Sequence, residues 1–379
     1  MSFLANKTVN RLNLHAGLLA LASRSGGVFF GVFLLKAGVA IPVVLCAYAL
    51  INAVRIAVLP VILILGERVG LRPLVIFGAL AASLQYPILA YVHGVDLALL
   101  MLCIAASVGE EFYSAAFHAY FGQLGDPHHR GHQTSARESL ASIVGIVAPV
   151  AGGWALSAYG PQVAFGAVAG VQALAVLPLL GAPNVAVASA PRGGFRGSGR
   201  GFALFVADGW TKAGITAVWQ LVLFLALSSS FAAFGGAMAL AAMASAVAGL
   251  FLGRHIDAGR GVGAVWLGSA VLLVCVLMCA AAWSPAIAVA ANAAGALAAC
   301  TYFPTMMAAF YNMAQRAPYP LRFHVVGQAG WHLGRGAGCL AAAALVALGA
   351  PLQATILLAL AGCGATLILL RRHYAGVGT

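Results

Sequence analysis

Gly66-Glu67-Arg68-Val69-Gly70-Leu71-Arg72 stands between two long apolar runs, and Gly253-Arg254-His255-Ile256-Asp257-Ala258-Gly259-Arg260 stands between two more, about half a chain further on. Each is a short charged turn, an acid and bases framed by glycine, in a sequence only 7% charged. A polar turn repeated at half-chain spacing marks a chain built twice on one plan. Working outward from the turns, apolar runs fill 12–36, 39–66, 73–92, 96–121, 138–159 and 162–181, then 202–228, 231–253, 262–282, 285–311, 323–348 and 351–370. The stretch 182–200 separates the two sets, with Pro183, Pro191, Arg192, Arg196 and Arg200 and several glycines. The expected organisation is a six-helix bundle over 1–181, a cytoplasmic linker over 182–200 and a second six-helix bundle over 201–379.

Composition agrees with this reading. The chain is 63% hydrophobic and 7% charged, against roughly 45–50% and 25% in soluble domains, and its mean hydropathy is +0.99. A soluble enzyme and a disordered chain are both excluded, and twelve spans of roughly 20–25 residues leave no room for a catalytic domain. Lys7 and Arg11 precede an apolar run that continues past Gly27 with no small-residue cleavage pattern, so it reads as a retained first span. Fifteen of the twenty bases lie in loops and tails on one side, four lie within the spans and Lys36 alone is opposite, which places both termini in the cytoplasm of a bacterial-type inner (plasma) membrane. The net charge of +12 therefore reports topology and contact with the lipid bilayer, and no nucleic-acid partner is expected. All seven cysteines fall inside apolar runs and read as reduced packing residues; His128-His129-Arg130-Gly131-His132 reads as a loop face, and neither a metal nor a cofactor is expected.

The two charged turns resemble the signature between helices 2 and 3 of the major facilitator superfamily. In span 5, Ala148-Pro149-Val150-Ala151-Gly152-Gly153 resembles the Gly-Pro-x-x-Gly-Gly element of that superfamily's proton-coupled exporters, although Ala105 stands where the exporters carry an arginine in span 4. The resemblance implies an all-α polytopic membrane protein of the major facilitator fold, two six-helix bundles around a central cavity lined by helices 1, 4, 7 and 10 and flanked by 2, 5, 8 and 11. Beside cytoplasmic helix ends, Glu67 and Asp257 would accept hydrogen bonds from helix N-termini and pair with Arg68, Arg72 and Arg260, forming a conformational latch.

Ionisable residues inside the spans are the strongest functional signal, because each costs roughly 2.5–3.5 kcal/mol at a helix centre. They are Arg24, Arg55, Glu110, Glu111, Asp208, Lys212 and Arg335. Helical spacing stacks Ser107, Glu110 or Glu111, Ser114 and His118 on one face of span 4, and Asp208, Lys212, Thr216 and Gln220 on one face of span 7. Span 11 repeats the pattern with His324, Gln328, His332, Arg335 and Cys339, and Tyr302 lies on a polar-aromatic stripe of the Pro304-bearing span 10. Two adjacent carboxylates in low dielectric repel, so Glu110 and Glu111 are the leading proton-coupling groups, with Asp208 a third. Arg24, Arg55, Lys212, Tyr302, His332 and Arg335 are the expected substrate-binding residues.

The expected function is a monomeric secondary active transporter, not an enzyme. It would move a small organic solute, anionic or zwitterionic, by alternating access, with protons as coupling ion and efflux the favoured direction. No ATP-binding phosphate loop occurs. One proton moving down about 100 mV and about one pH unit releases roughly 3.7 kcal/mol, enough for a several-hundred-fold gradient. Import of a metabolite, siderophore or copper-like metal complex is the alternative, and a non-transporting membrane sensor or assembly factor is the rival from another class.

Overall fold

A helix satisfies its own backbone and so tolerates a bilayer; each apolar run is helical in the computed structural model, which describes residues 7–124, 130–187, 198–256, 261–317 and 320–375. The first half gives α1 (Lys7–Ser25) and α2 (Phe30–Lys36), joined by a 3₁₀ turn at Gly27–Phe29, then α3 (Ile41–Val69), α4 (Leu71–Ser83), α5 (Gln85–Leu89), α6 (Leu97–Leu124), α7 (Arg130–Leu174) and α8 (Leu177–Leu180). The second half gives α9 (Gly199–Lys212), a π-helical turn at Ala213–Val218, α10 (Trp219–Ala226), α11 (Phe231–Ile256), α12 (Gly261–Ala280), α13 (Pro285–Arg316), α14 (Pro320–Ala347), α15 (Leu352–Thr355) and α16 (Ala359–Ala375). Among the described residues, eight helical stretches are by length and composition long and apolar enough to cross a membrane. The chain is an integral membrane protein.

At 45 residues α7 is too long for one crossing, and it folds back at Gly160, whose φ of +79° and ψ of 170° no helical residue adopts. Pro161 follows, lacking the N–H that would continue the ladder. Large apolar side chains such as Leu100, Ile143, Trp154, Leu267 and Ile368 stay exposed, the pattern of a surface solvated by acyl chains.

Two compact units emerge. The first comprises Met1–Val39, Ala57–Ser189 and Phe231–Ala239; the second comprises Ala40–Ile56, Ala190–Ser230 and Leu240–Thr379. The start of α3 thus sorts with the C-terminal half and the start of α11 with the N-terminal half. Packing gives the reason. In the second unit Ala49 of α3 shares a buried cluster with Ala213, Ala217 and Cys339. In the first, Phe231 and Phe234 of α11 meet the ring of Phe29 edge-on, with centroids 6.1 and 5.6 Å away. The core of the first unit is built on Leu12, Val75, Phe112, Phe117, Tyr120 and Leu179.

Candidate functional site

In the second unit α9 and α14 touch backbone to backbone. A Cβ on Gly209 would strike the carbonyl of Trp331, and one on Gly334 would strike the carbonyl of Val206. Gly330, Gly334 and Gly338 recur every four residues along α14, the small-residue spacing that lets membrane helices approach closely. That approach carries the indole of Trp331 to Asp208. The Asp208 carboxylate is 2% exposed; its Oδ2 accepts from Trp331 Nε1 at 2.9 Å and its Oδ1 from the Tyr302 hydroxyl at 3.2 Å. Thr366 Oγ1, fully buried on α16, stands 3.4 Å from the same phenol oxygen. Lys212, one turn further along α9, adds Coulomb attraction. The helix then loosens into the π turn, a feature frequent at functional sites.

The other side of Trp331 faces a cation. The guanidinium carbon of Arg335 lies 5.0 Å from the indole centroid and 5.7 Å from that of Tyr48 on α3, within cation–π range. Asn52, one turn along from Tyr48, accepts from His332 Nδ1 at its Oδ1 at 3.0 Å and gives its amide N–H to the Tyr48 carbonyl at 2.7 Å. Arg55 brings a second positive charge near enough to repel Arg335. Among the described residues Arg335 meets no carboxylate, and its buried Nε has no hydrogen-bond partner.

Asp208, Lys212, Tyr302, His332, Arg335 and Arg55 from the expected set are therefore gathered in one unit. Trp331, Tyr48, Asn52 and Thr366 complete the group, and the sequence reading passed over them. The glycine repeat around Trp331 was the available signal, since it marks a face where α14 lies against another helix.

The remaining candidates lie in the first unit. Glu110 and Glu111 leave α6 about 100° apart, so Glu111 is buried while Glu110 is half-buried and accepts from Gln85 Nε2 at 3.3 Å. They do not form one two-carboxylate face. Arg24 is exposed and makes no hydrogen bond or ion pair among the described residues. The span 5 element serves as a helix contact, for a Cβ on Gly152 would strike the carbonyl of Ser25 and one on Gly153 that of Phe231.

The described residues of the expected latch lie at the turn between α3 and α4. Glu67 and Arg68 are exposed on the last turn of α3, and the N-terminus of α4 is capped from the far end of the unit. Asn184 Oδ1 accepts from the Arg72 backbone N–H at 3.1 Å, Asn184 Nδ2 donates to the Val69 carbonyl at 2.8 Å, and the Leu71 N–H reaches the Val185 carbonyl at 2.9 Å. Arg72 gives its guanidinium to the Ala182 carbonyl at 2.6 Å, Tyr120 its hydroxyl to that of Pro183 at 2.5 Å, and Arg11 binds the carbonyl of Gly181. Asn184, an uncharged side chain, thus caps the turn between α3 and α4, while Glu67 is exposed. Gly70, at φ +82°, makes the turn tight enough for this clamp. Asp257 and Arg260 lie outside the described residues, as do His128 and His129. Outside the spans, Asp96 accepts from the N–H groups of Leu99 at 2.8 Å and His93 at 3.2 Å, capping α6; these bonds hold its carboxyl below the usual carboxylate range.

No family model and no curated protein matches the chain. Solved structures do. A POT family transporter in complex with 5-aminolevulinic acid superposes with a TM-score of 0.74 at 10% identity, covering 96% of this chain and 95% of that one. A POT family transporter in complex with a thioalcohol-conjugated peptide gives 0.77 at 9% identity over the same shares. The fold is the major facilitator fold. Asp208 and Lys212 of α9, Arg335 of α14 and the aromatic residues between them form a polar constellation within this fold.

Proposed function

We propose that this protein is a secondary active transporter that moves a small organic solute bearing an anionic group, driven by protons taken up and released at Asp208. The observation that carries the reading is Arg335, a half-buried cation on α14, with aromatic rings and a second arginine around it and no carboxylate among the described residues. A charge there costs roughly 2.5–3.5 kcal/mol even on the lenient scale, and a transported carboxylate would offset that cost with a bidentate, charge-assisted contact. Asp208 is the matching proton carrier: it is a buried carboxyl group in the same unit as Arg335, and among the described residues no arginine holds it in an ion pair. The two similar structures hold 5-aminolevulinic acid and a conjugated peptide, which favours a small solute. The distribution of bases favours cytoplasmic termini.

The test is uptake of labelled 5-aminolevulinate, dipeptides and simple monocarboxylates into proteoliposomes with an imposed pH gradient. Concentrative flux of at least one acid is expected, abolished in Arg335→Gln and uncoupled from the gradient in Asp208→Asn. Flux of neutral or cationic solutes only, unchanged in Arg335→Gln, would overturn the reading.

A further inference from the structure

Asp208 and Arg335 are separated by one side chain, and that side chain touches both. The pyrrole edge of Trp331 donates to Asp208 at 2.9 Å while its ring face carries the Arg335 guanidinium at 5.0 Å. We infer that Trp331 is the positioning residue that ties the charge state of Asp208 to the grip of Arg335 on an anion, so that proton and anion bind together. This rests on the transport reading above and gives it a sign.

The hydrogen-bonding capacities of the neighbours decide where the proton goes. Indole N–H can only donate, whereas the Tyr302 hydroxyl can donate or accept. A proton arriving from water therefore adds to Oδ1, and Tyr302 turns its own hydrogen toward Thr366 and accepts from the new carboxyl O–H. Trp331 keeps its place at Oδ2, but its bond changes from charge-assisted to neutral and loses about half its strength. On release the proton returns to water and the chain of hydroxyls reverses. With its bond to Oδ2 weakened, the indole is freer to settle against the Arg335 guanidinium as that cation closes on an anion, so each ligand favours the other.

The other titratable and charged groups around Asp208 do not substitute for it. Lys212 faces it from its own helix, Tyr302 from α13 and Cys363 from α16, while His332 and Arg335 flank Trp331 on α14. Cys275 of α12 faces Lys212. Of these only His332 normally titrates near neutral pH; its Nδ1 is turned to Asn52.

The experiment uses the full chain in lipid nanodiscs with its six tryptophans replaced by 5-fluorotryptophan, the Trp331 fluorine resonance being assigned by its loss in Trp331→Phe. Acetate and benzoate serve as probes, both ionised between about pH 6 and about pH 9. The Trp331 resonance is expected to move with pH in the wild type and to stay fixed in Asp208→Asn. Benzoate is expected to bind about tenfold tighter at the lower pH, the size of a typical coupling, with that preference gone in Asp208→Asn and in Trp331→Phe, which keeps a ring beneath Arg335 and removes the N–H. A Trp331 resonance indifferent to pH, pH-dependent binding that survives Trp331→Phe, or failure of both probes to disturb the resonance would overturn the inference. Loss of proton-driven flux in Asp208→Asn alongside an indifferent indole would leave the transport reading standing and remove the relay. A titrating indole with normal proton-driven flux in Asp208→Asn would count against the transport reading alone.

Discussion

Replacing Gly334 with alanine tests whether helix contact is what assembles the site. A Cβ there would lie 2.8 Å from the Val206 carbonyl carbon and 3.0 Å from the Trp210 nitrogen, against about 3.5–4.0 Å for an ordinary contact. The obstacles are backbone and cannot rotate away, so α14 must retreat from α9 by on the order of 1 Å. The Trp331–Asp208 bond, now 2.9 Å, would pass beyond hydrogen-bond reach, at a loss of roughly 1.5–3 kcal/mol for a bond to a charged group. Overpacking adds roughly 1–3 kcal/mol, and the better helix propensity of alanine returns about 1 kcal/mol. The net destabilisation is on the order of 2–5 kcal/mol. Thermal unfolding of the purified protein in nanodiscs measures it, with Gly364→Ala as control: Gly364 is in a helix of the same unit and has nothing within 4 Å of its would-be Cβ. Gly364→Ala should be neutral or slightly stabilising, and Gly334→Ala should melt earlier and lose proton-driven flux. Equal stability and equal coupling in the two variants would refute the reasoning.

Asn184→Ala should open the turn between α3 and α4, removing two exposed bonds worth roughly 0.5–1.5 kcal/mol each; faster hydrogen exchange at the Leu71 and Arg72 amides, with Glu67→Gln showing none, is the expected result. Asp96→Asn should lower thermal stability at neutral pH. The Asp96 carboxyl is held below its ordinary range, so its contribution is present above that range and disappears as pH falls through the folded value; wild type and variant should converge in acid. Gly160→Ala should cost roughly 1–2 kcal/mol, because the chain reverses there at positive φ, and a thermal midpoint unchanged from wild type would show that the turn can reform with another geometry.

Much of the fold was legible because a bilayer reduces the problem to one dimension. Apolar length predicts helix, glycine and proline predict breaks, and the charged turns fall where helices end. Gly160 shows the reach of such reading, since the break between 138–159 and 162–181 is where the backbone reverses. The first unit was less legible. Asn184 lies more than a hundred positions from the turn it clamps, and a neutral amide beside a proline gives no sign of that task, whereas Glu67 in a charged turn attracts attention and points outward.

The site divides along the same line. Ionisable residues inside spans announce themselves by their cost, and Asp208, Lys212, Arg55 and Arg335 were named on that ground alone. Their partners carry no such cost. A tryptophan and a tyrosine are at home in a membrane helix and an asparagine costs less there than a charge, and only the approach of α9 to α14 makes Trp331 a ligand of a carboxylate 123 positions away in the chain. His332 and Asn52, 280 positions apart, meet for a similar reason: the start of α3 packs within the second unit. Charge marks where function must be accommodated, and small residues mark where helices can meet. Reading the two together would have pointed to Trp331, which lies between Gly330 and Gly334 and one turn from Arg335.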